Sequence, residues 1–157
     1  MNESEKLKAA LEEKFVYLKD AIRLQRERRL WTEVGSDLFF DVLTFAREIG
    51  FDHLTTITGL DEGESLAFIY HLSTQAGTML NLKTRVLKDK ESLPSVTALF
   101  PGAAIYEREL ADLFGARVDG VPPGVRYPLP DDWPAGQYPL RKDWDQKVLD
   151  QEGKKHG

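Results

Sequence analysis

Tyr106-Glu107-Arg108-Glu109-Leu110-Ala111-Asp112 gathers three carboxylates within two turns of a predicted helix. Two carboxylates held together can share general acid–base work or hold a hard cation. Helical spacing limits both. At about 100° per residue, Glu107 and Glu109 point about 200° apart and cannot converge. Glu109 and Asp112 share a face at i,i+3, which leaves a free-standing acid–base enzyme as one reading. Arg108 and Asp112 stand at i,i+4 and are expected to pair, which would hold Asp112 ionised. A structural ion-pair network, or one that meets a partner, is the expectation over catalysis.

Other reactive residue types are sparse. There is no cysteine, which removes disulfides, thiolate metal sites, cysteine-ligated iron–sulfur clusters and cysteine nucleophiles. His53 and His71 fall on separate predicted strands and His156 at the far end, so no pair has metal-ligand spacing. The glycines between Gly115 and Gly124 fit neither a Walker loop nor a dinucleotide fingerprint, and no nucleophile elbow is present. Composition and spacing thus show no enzyme site.

The final quarter is unusual in a different way. Six of the eight prolines lie between Pro122 and Pro139, with Gly124 and Gly136 among them and Gly120 just before. Proline lacks an N–H and fixes φ, so this stretch is neither a long helix nor a central strand. It carries Trp133, Trp144, Tyr127 and Tyr138, and aromatic and arginine residues are those that anchor interfaces. Proline stiffening lowers the entropy lost on docking. Arg141-Lys142-Asp143 adds charge that could meet an acidic or helix-terminal site. Two readings stay open: an arm wrapped on its own body, as in a generic protein-binding module, or a clasp for another subunit, with the clasp favoured.

Positioning these segments falls to a body read as residues 1–119, with 120–157 as the arm. Leu7, Leu11, Phe15, Leu18 and Ile22 recur at helical steps, which predicts one helix over 3–29. Arg26-Glu27-Arg28-Arg29 would then place positive charge at its C-terminal dipole end. Leu30–Val34 reads as a short strand closed by Gly35. Ser36 or Asp37 is expected to cap a second helix with Phe39, Val42, Leu43, Ala46 and Ile49 inward and Gly50 after it. Three strands follow. The first runs from Phe51 to Gly59. The second alternates Leu66, Phe68, Tyr70 and Leu72, the third Leu80, Leu82, Thr84 and Val86. Lys83 and Arg85 mark a wet face on the third strand, whereas Ala67, Ile69 and His71 suggest a second strand covered on both sides. A short helix is expected from Pro94 to Phe100, and another from Ala103 to Phe114, ended by Gly115. This is an α+β pattern: helices packed on one face of a small, mostly antiparallel sheet, with an extended proline-rich C-terminal arm.

Composition sets the outer bounds. With 157 residues, 41% apolar and 30% charged, the chain suits a globular domain and is too apolar for a disordered tail. The net charge of −5 is concentrated in residues 35–119, at net −6, which argues against nucleic acid as a partner. The apolar runs are too short for a bilayer-spanning helix, and the polar Met1–Lys8 segment is not read as a secretory signal.

Two motif groups, in this order and spacing, carry a family resemblance. The first is Phe100-Pro101, Tyr106-Glu107-Arg108-Glu109 and Asp112-Leu113-Phe114-Gly115. The second is Leu129-Pro130-Asp131-Asp132-Trp133 and Pro139-Leu140-Arg141-Lys142-Asp143. Together they resemble the 30 kDa subunit family of respiratory complex I (the C subunit of NADH–quinone oxidoreductase). Its counterparts in membrane-bound energy-converting NiFe hydrogenases belong to the same group. The family usually has Gly-His-Pro beyond the Phe-Gly helix end. Here the chain reads Gly120-Val121-Pro122-Pro123-Gly124-Val125-Arg126, and with Tyr127-Pro128-Leu129-Pro130 this tilts the reading toward the hydrogenase branch. The resemblance implies a non-catalytic assembly subunit with no catalytic, cofactor or metal residue of its own. Iron–sulfur clusters, and a NiFe centre in the hydrogenase branch, would reside in partner subunits. The implied partners are the hydrogenase-like large (49 kDa-like) subunit and the small cluster-carrying subunit. Membrane contact would come only through partners, at the cytoplasmic face. Glu107, Arg108, Glu109, Asp112, Phe114 and Gly115 would mark the signature helix, and Trp133, Pro139, Leu140, Arg141, Lys142 and Asp143 the docking arm. In relatives the subunit is sometimes fused to the large subunit just after the Arg-Lys-Asp segment, so this arm is expected to end beside that partner.

Overall fold

The computed structural model describes residues 1–124 and 126–155, with the backbone alone for 152–155; Val125, and with it part of the family departure, and His156 lie outside the described residues. The body begins with α1 (Glu3–Lys14), held by a capping box in which Asn2 and Glu5 exchange side-chain and backbone bonds. The single helix expected over 3–29 is not formed. Phe15 is extended at φ −121°, a short 3-10 turn covers Val16–Leu18, and Asp20 turns left-handed at φ 63°. The chain then makes the hairpin of β1 (Arg23–Arg26) and β2 (Arg29–Glu33), with Arg28 at φ 62° in its turn. Leu7, Leu11, Leu18 and Ile22 are all buried, so the apolar spacing identifies core residues correctly. It assigns them to one element because steps of three and four also suit a helix that breaks and returns to the same core.

After β2 come α2 (Phe39–Glu48), β3 (His53–Asp61), β4 (Ser65–Ser73) and β5 (Met79–Leu87). α2 starts at Leu38 without a side-chain cap, so neither Ser36 nor Asp37 caps it. The sheet order is β1-β2-β5-β4-β3. Every neighbouring pair is antiparallel except β2 and β5, which run parallel with Leu30 opposite Leu80 and Thr32 opposite Leu82.

One sheet face carries the core. Leu66, Phe68, Tyr70 and Leu72 stand opposite Val86, Thr84, Leu82 and Leu80, and all are buried. α2 packs there through Phe39, whose ring centroid lies 5.4 Å from that of Tyr70. On the opposite face of β4, Ala67 and Ile69 are also buried, while Lys83 and Arg85 of β5 both pair with Glu62. His71 is bridged by Thr58 (2.8 Å) and Asn81 (2.7 Å), as fits a structural histidine.

The short helix expected over 94–100 is also absent. Leu93–Pro94 forms β6, paired in parallel with β7 (Val118–Asp119), and a turn follows. α3 (Ala103–Phe114) has the expected bounds, and Gly115 closes it in the left-handed conformation at φ 69°. Beyond β7 the chain runs through turns to α4 (Lys147–Lys155). No helix among the described residues is long and apolar enough to cross a membrane.

Candidate functional site

α3 lies across β3 at a point where β3 has no side chain. Gly59 faces Phe114 and Leu110, and a Cβ there would come within 2.8 Å of both side chains. This close approach sets the helix against the sheet. It turns Glu107, Leu110 and Phe114 inward and leaves Arg108 and Asp112 facing the arm.

Glu107 is 1% exposed. Its carboxylate accepts the Val96 N–H and the Ser95 hydroxyl, both at 2.7 Å. Burial pushes its pKa up, and those two donors partly oppose the rise. The side chain thus fixes the 95–96 bend to α3 in place of the helix expected there.

The expected Arg108–Asp112 pair does not form, because each residue has a better partner in the arm. Arg108 Nη2 donates to the Pro122 carbonyl at 2.8 Å and the Pro123 carbonyl at 3.2 Å. Asp112 accepts Arg126 Nε at 3.0 Å and the Leu129 N–H at 3.2 Å. A proline-rich loop has unused carbonyls and few N–H groups, so an arginine suits it better than a neighbouring carboxylate does. Arg108, Asp112 and Arg126 line a cleft of about 330 Å³ between α3 and the 121–127 loop. Glu109 is half-buried, and the Asp112 carboxylate is engaged by Arg126 and the Leu129 N–H. Among the described residues, no group of three or more His, Asp or Glu side chains could hold a metal ion.

Further along, the arm is fastened to the body where the motif Pro139-Leu140-Arg141-Lys142-Asp143 passes α3. The Leu140 N–H donates to the Leu113 carbonyl at 3.0 Å. Arg141 Nε donates to the Phe114 carbonyl at the end of α3, and its two terminal nitrogens reach Asp89 at 3.2 and 3.0 Å. The guanidinium sits 4.7 Å from the centroid of the Tyr138 ring. One arginine therefore meets a helix terminus and an acidic side chain together, the two kinds of site expected for this segment.

The Lys142 N–H donates to Asp61 Oδ2 at 2.7 Å. Asp61 Oδ1 also accepts the Gly63 N–H at 2.9 Å and pairs with Lys88 Nζ at 2.6 Å. Burial raises the Asp61 pKa, but Lys88 and the two N–H donors reverse this and bring it from an ordinary 3.8 to about 2. Asp89 is likewise held low, first by its bond to Arg141. Trp133 and Trp144 pack with their rings tilted by 31° and their centroids 6.2 Å apart, and Trp133 Nε1 donates to the Gln137 carbonyl at 2.8 Å. The large aromatics thus find partners within the arm rather than in the core.

Sequence reading misses Asp61, Asp89 and Arg126. Asp61 reads as a turn residue, and only the fold reveals its bond to Lys142, 81 positions along the chain. The outer side of the arm stays uncovered: Leu140 is 52% and Tyr127 43% exposed, and Lys142 and Asp143 are exposed as well.

The low Asp61 pKa fixes a pH dependence. A folded pKa below the unfolded one adds stability that is complete above about pH 4 and is lost as the pH falls through about 2. Acidification across that window is expected to shift the Trp133–Trp144 fluorescence before the body unfolds. In Asp61→Asn the shift should shrink to the part carried by the Asp89–Arg141 pair; an unchanged titration would show that Asp61 does not hold the arm.

Comparisons with known proteins follow the same segments. A family model described as respiratory-chain NADH dehydrogenase, 30 Kd subunit, matches residues 32–148. The membrane-bound hydrogenase subunit beta of Pyrococcus furiosus is 27% identical over 150 residues, covering 91% of this chain and 87% of that protein. The C subunit of the NADH-quinone oxidoreductase of Moorella thermoacetica is 36% identical over 116 residues, covering 71% and 76%. A chain in the structure of the membrane-bound sulfane sulfur reductase, an archaeal respiratory membrane complex, superposes with a TM-score of 0.83 at 30% identity. It covers 98% of this chain and 92% of that one.

Proposed function

Since this chain belongs to the respiratory-chain NADH dehydrogenase 30 kDa subunit family, we propose that it is a non-catalytic assembly subunit of a membrane-bound, complex I-like oxidoreductase. In this reading it seats the hydrogenase-like large subunit, next to the small cluster-carrying subunit, beside the electron path. Iron–sulfur clusters, and a NiFe centre in the hydrogenase branch, belong to those partners. Attachment to the cytoplasmic face of the membrane is peripheral and goes through them. Relatives of both the hydrogenase and the NADH–quinone kind match, so the proposal names their shared architecture rather than one donor or acceptor.

One observation carries the reading. The Pro139–Asp143 segment is fixed through its Leu140 and Lys142 N–H groups to Leu113 and Asp61 and through the Arg141 side chain to Phe114, while Leu140, Lys142 and Asp143 face solvent. A segment held this firmly with three of its side chains outward is preorganised for a partner, so little ordering entropy is lost on docking. Glu107, Arg108, Asp112, Phe114 and Gly115 then act as its mount, and Trp133 stiffens it against Trp144. Glu109 is assigned to the same helix with no chemistry of its own.

The test is purification of the complex through a tag on the large subunit. Deletion of 121–157 is expected to remove this chain from the complex. The double variant Leu140→Asp, Asp143→Lys, which alters only exposed side chains, should reduce its retention at least tenfold while the isolated chain melts normally. Full stoichiometry of either variant would overturn the docking role.

A further inference from the structure

Arg26-Glu27-Arg28-Arg29 would complement the end of a helix over 3–29, but the helix ends at Lys14, so this charge lacks its expected cause. Residues 23–29 hold four arginines against one glutamate, net +3, in a chain of net −5. All seven are exposed. Among the described residues, Arg23, Arg26 and Arg29 have no carboxylate within ion-pair distance. Like charges packed this closely repel one another, so some other feature must favour their presence.

Arg23 and Arg26 sit on a free strand edge, with Arg28 and Arg29 in and just after the turn that follows it. β1 is the outermost strand of the sheet and pairs only with β2, so its outer side presents unpaired N–H and C=O groups. The edge is also rigid. Arg28 Nη1 donates to the Ala76 carbonyl at 3.0 Å, and the Met79 N–H donates to the Arg28 carbonyl at 2.8 Å. These bonds hold Arg28 in a left-handed conformation that ordinarily costs a non-glycine residue about 1–2 kcal/mol. The opposite sheet edge, where α3 and the arm lie, is four strands or about 19 Å away. The hairpin is thus separate from the arm, and β1 precedes the span matched by the family model, which begins at Thr32.

The geometry points to the β1 edge as the seat of an extended acidic segment of a partner polypeptide, added as a sixth strand. Main-chain bonds to β1 supply the pairing, and carboxylates opposite Arg23 and Arg26 supply the sign. A bulge between Leu24 and Arg26 absorbs Gln25 and keeps Arg23 and Arg26 on one face, with Leu24, 41% exposed, between them on the other, so the segment alternates acidic and apolar positions. A second copy does not fit, because β1 against β1 would set arginine against arginine.

The probe is a capped, dye-labelled octapeptide of alternating Glu and Val, titrated against the full chain by fluorescence anisotropy. It is expected to bind. Affinity should fall at least tenfold in R23E/R26E and fall with added salt, and a Lys–Val octapeptide should not bind. Amide hydrogen exchange at 23–26 should slow in the complex, which charge attraction alone would not cause. If the reversal variant loses its thermal transition, R23Q/R26Q gives the same comparison with a smaller drop. Failure of the Glu–Val peptide to bind overturns the proposal, as does binding that ignores the arginines or leaves 23–26 unprotected. So does equal or tighter arginine-dependent binding of a single-stranded oligonucleotide or of anionic phospholipid vesicles.

Discussion

Asp61→Ala is expected to release the arm while the sheet stays folded. The Asp61 side chain is 2% exposed and holds Lys88, which is 14% exposed, together with the Lys142 and Gly63 N–H groups. Removing one partner of a buried pair strands the other charge, at a cost of about 3–5 kcal/mol. Two backbone donors lose their acceptor as well. The loss falls on the junction, because Asp61 ends β3 and its partners lie in the 61–63 turn, at the end of β5 and in the arm. Trypsin is the suitable readout, since Arg141 and Lys142 flank the bond to Asp61. With opening in rapid equilibrium, cleavage tracks the open population, so the rate at Arg141 or Lys142 should rise on the order of a hundredfold. Asp61→Asn keeps an acceptor and should fall between. Cleavage at the wild-type rate in Asp61→Ala would mean that the arm is held elsewhere.

Gly115→Val is expected to be the second most damaging change, for two separable reasons. At φ 69° a β-branched residue is strained by about 1–2 kcal/mol. A Cβ there also meets the Tyr138 ring at 2.5 Å and Arg141 Nη2 at 2.8 Å. Overpacking of that kind costs about 1–3 kcal/mol. The obstructed groups belong to the arm, so the arm should lift and the α3 C-terminus lose its Arg141 cap. Gly115→Asn tolerates the left-handed backbone but keeps the collision. Tm in Asn should therefore recover only the strain portion, while tryptic cleavage at Arg141 stays as fast as in Val. A slow, wild-type cleavage rate in Gly115→Asn would show that close approach of Tyr138 is not why the position is glycine.

The sequence exposes α3 and the β3–β5 meander well because their signals are local and agree. Period-two alternation, turn glycines and the Gly115 stop all point the same way. It overextends α1 because Leu18 and Ile22 keep helical spacing while belonging to a core reached after the chain has broken at Phe15. The 94–100 segment misleads because Pro94-Ser95 resembles a helix start, whereas the Ser95 hydroxyl and the Val96 N–H are taken by the Glu107 carboxylate. In the site, residue choice is legible but partnership is not. Arg108 and Asp112 are four apart on one helix, and nothing local says that each turns to the arm instead. Arg141 is expected at an acidic or helix-terminal position and occupies both, yet Asp89 and Asp61 can be named only from the fold.

The parallel pairing of β2 with β5 has a bearing on synthesis. β2 is complete at Glu33, but its neighbour in the sheet is not complete until Leu87. A ribosome adding about 5–20 residues per second therefore leaves the leading hairpin without its seat for several seconds. During that interval Leu30 and Thr32 have no β5 side chains to cover them, and the arginine-rich turn is not yet tied to Ala76. Nascent chains stalled before residue 79 should thus display β1 and β2 as an unseated, cationic ribbon, the state in which a chaperone would first meet this protein.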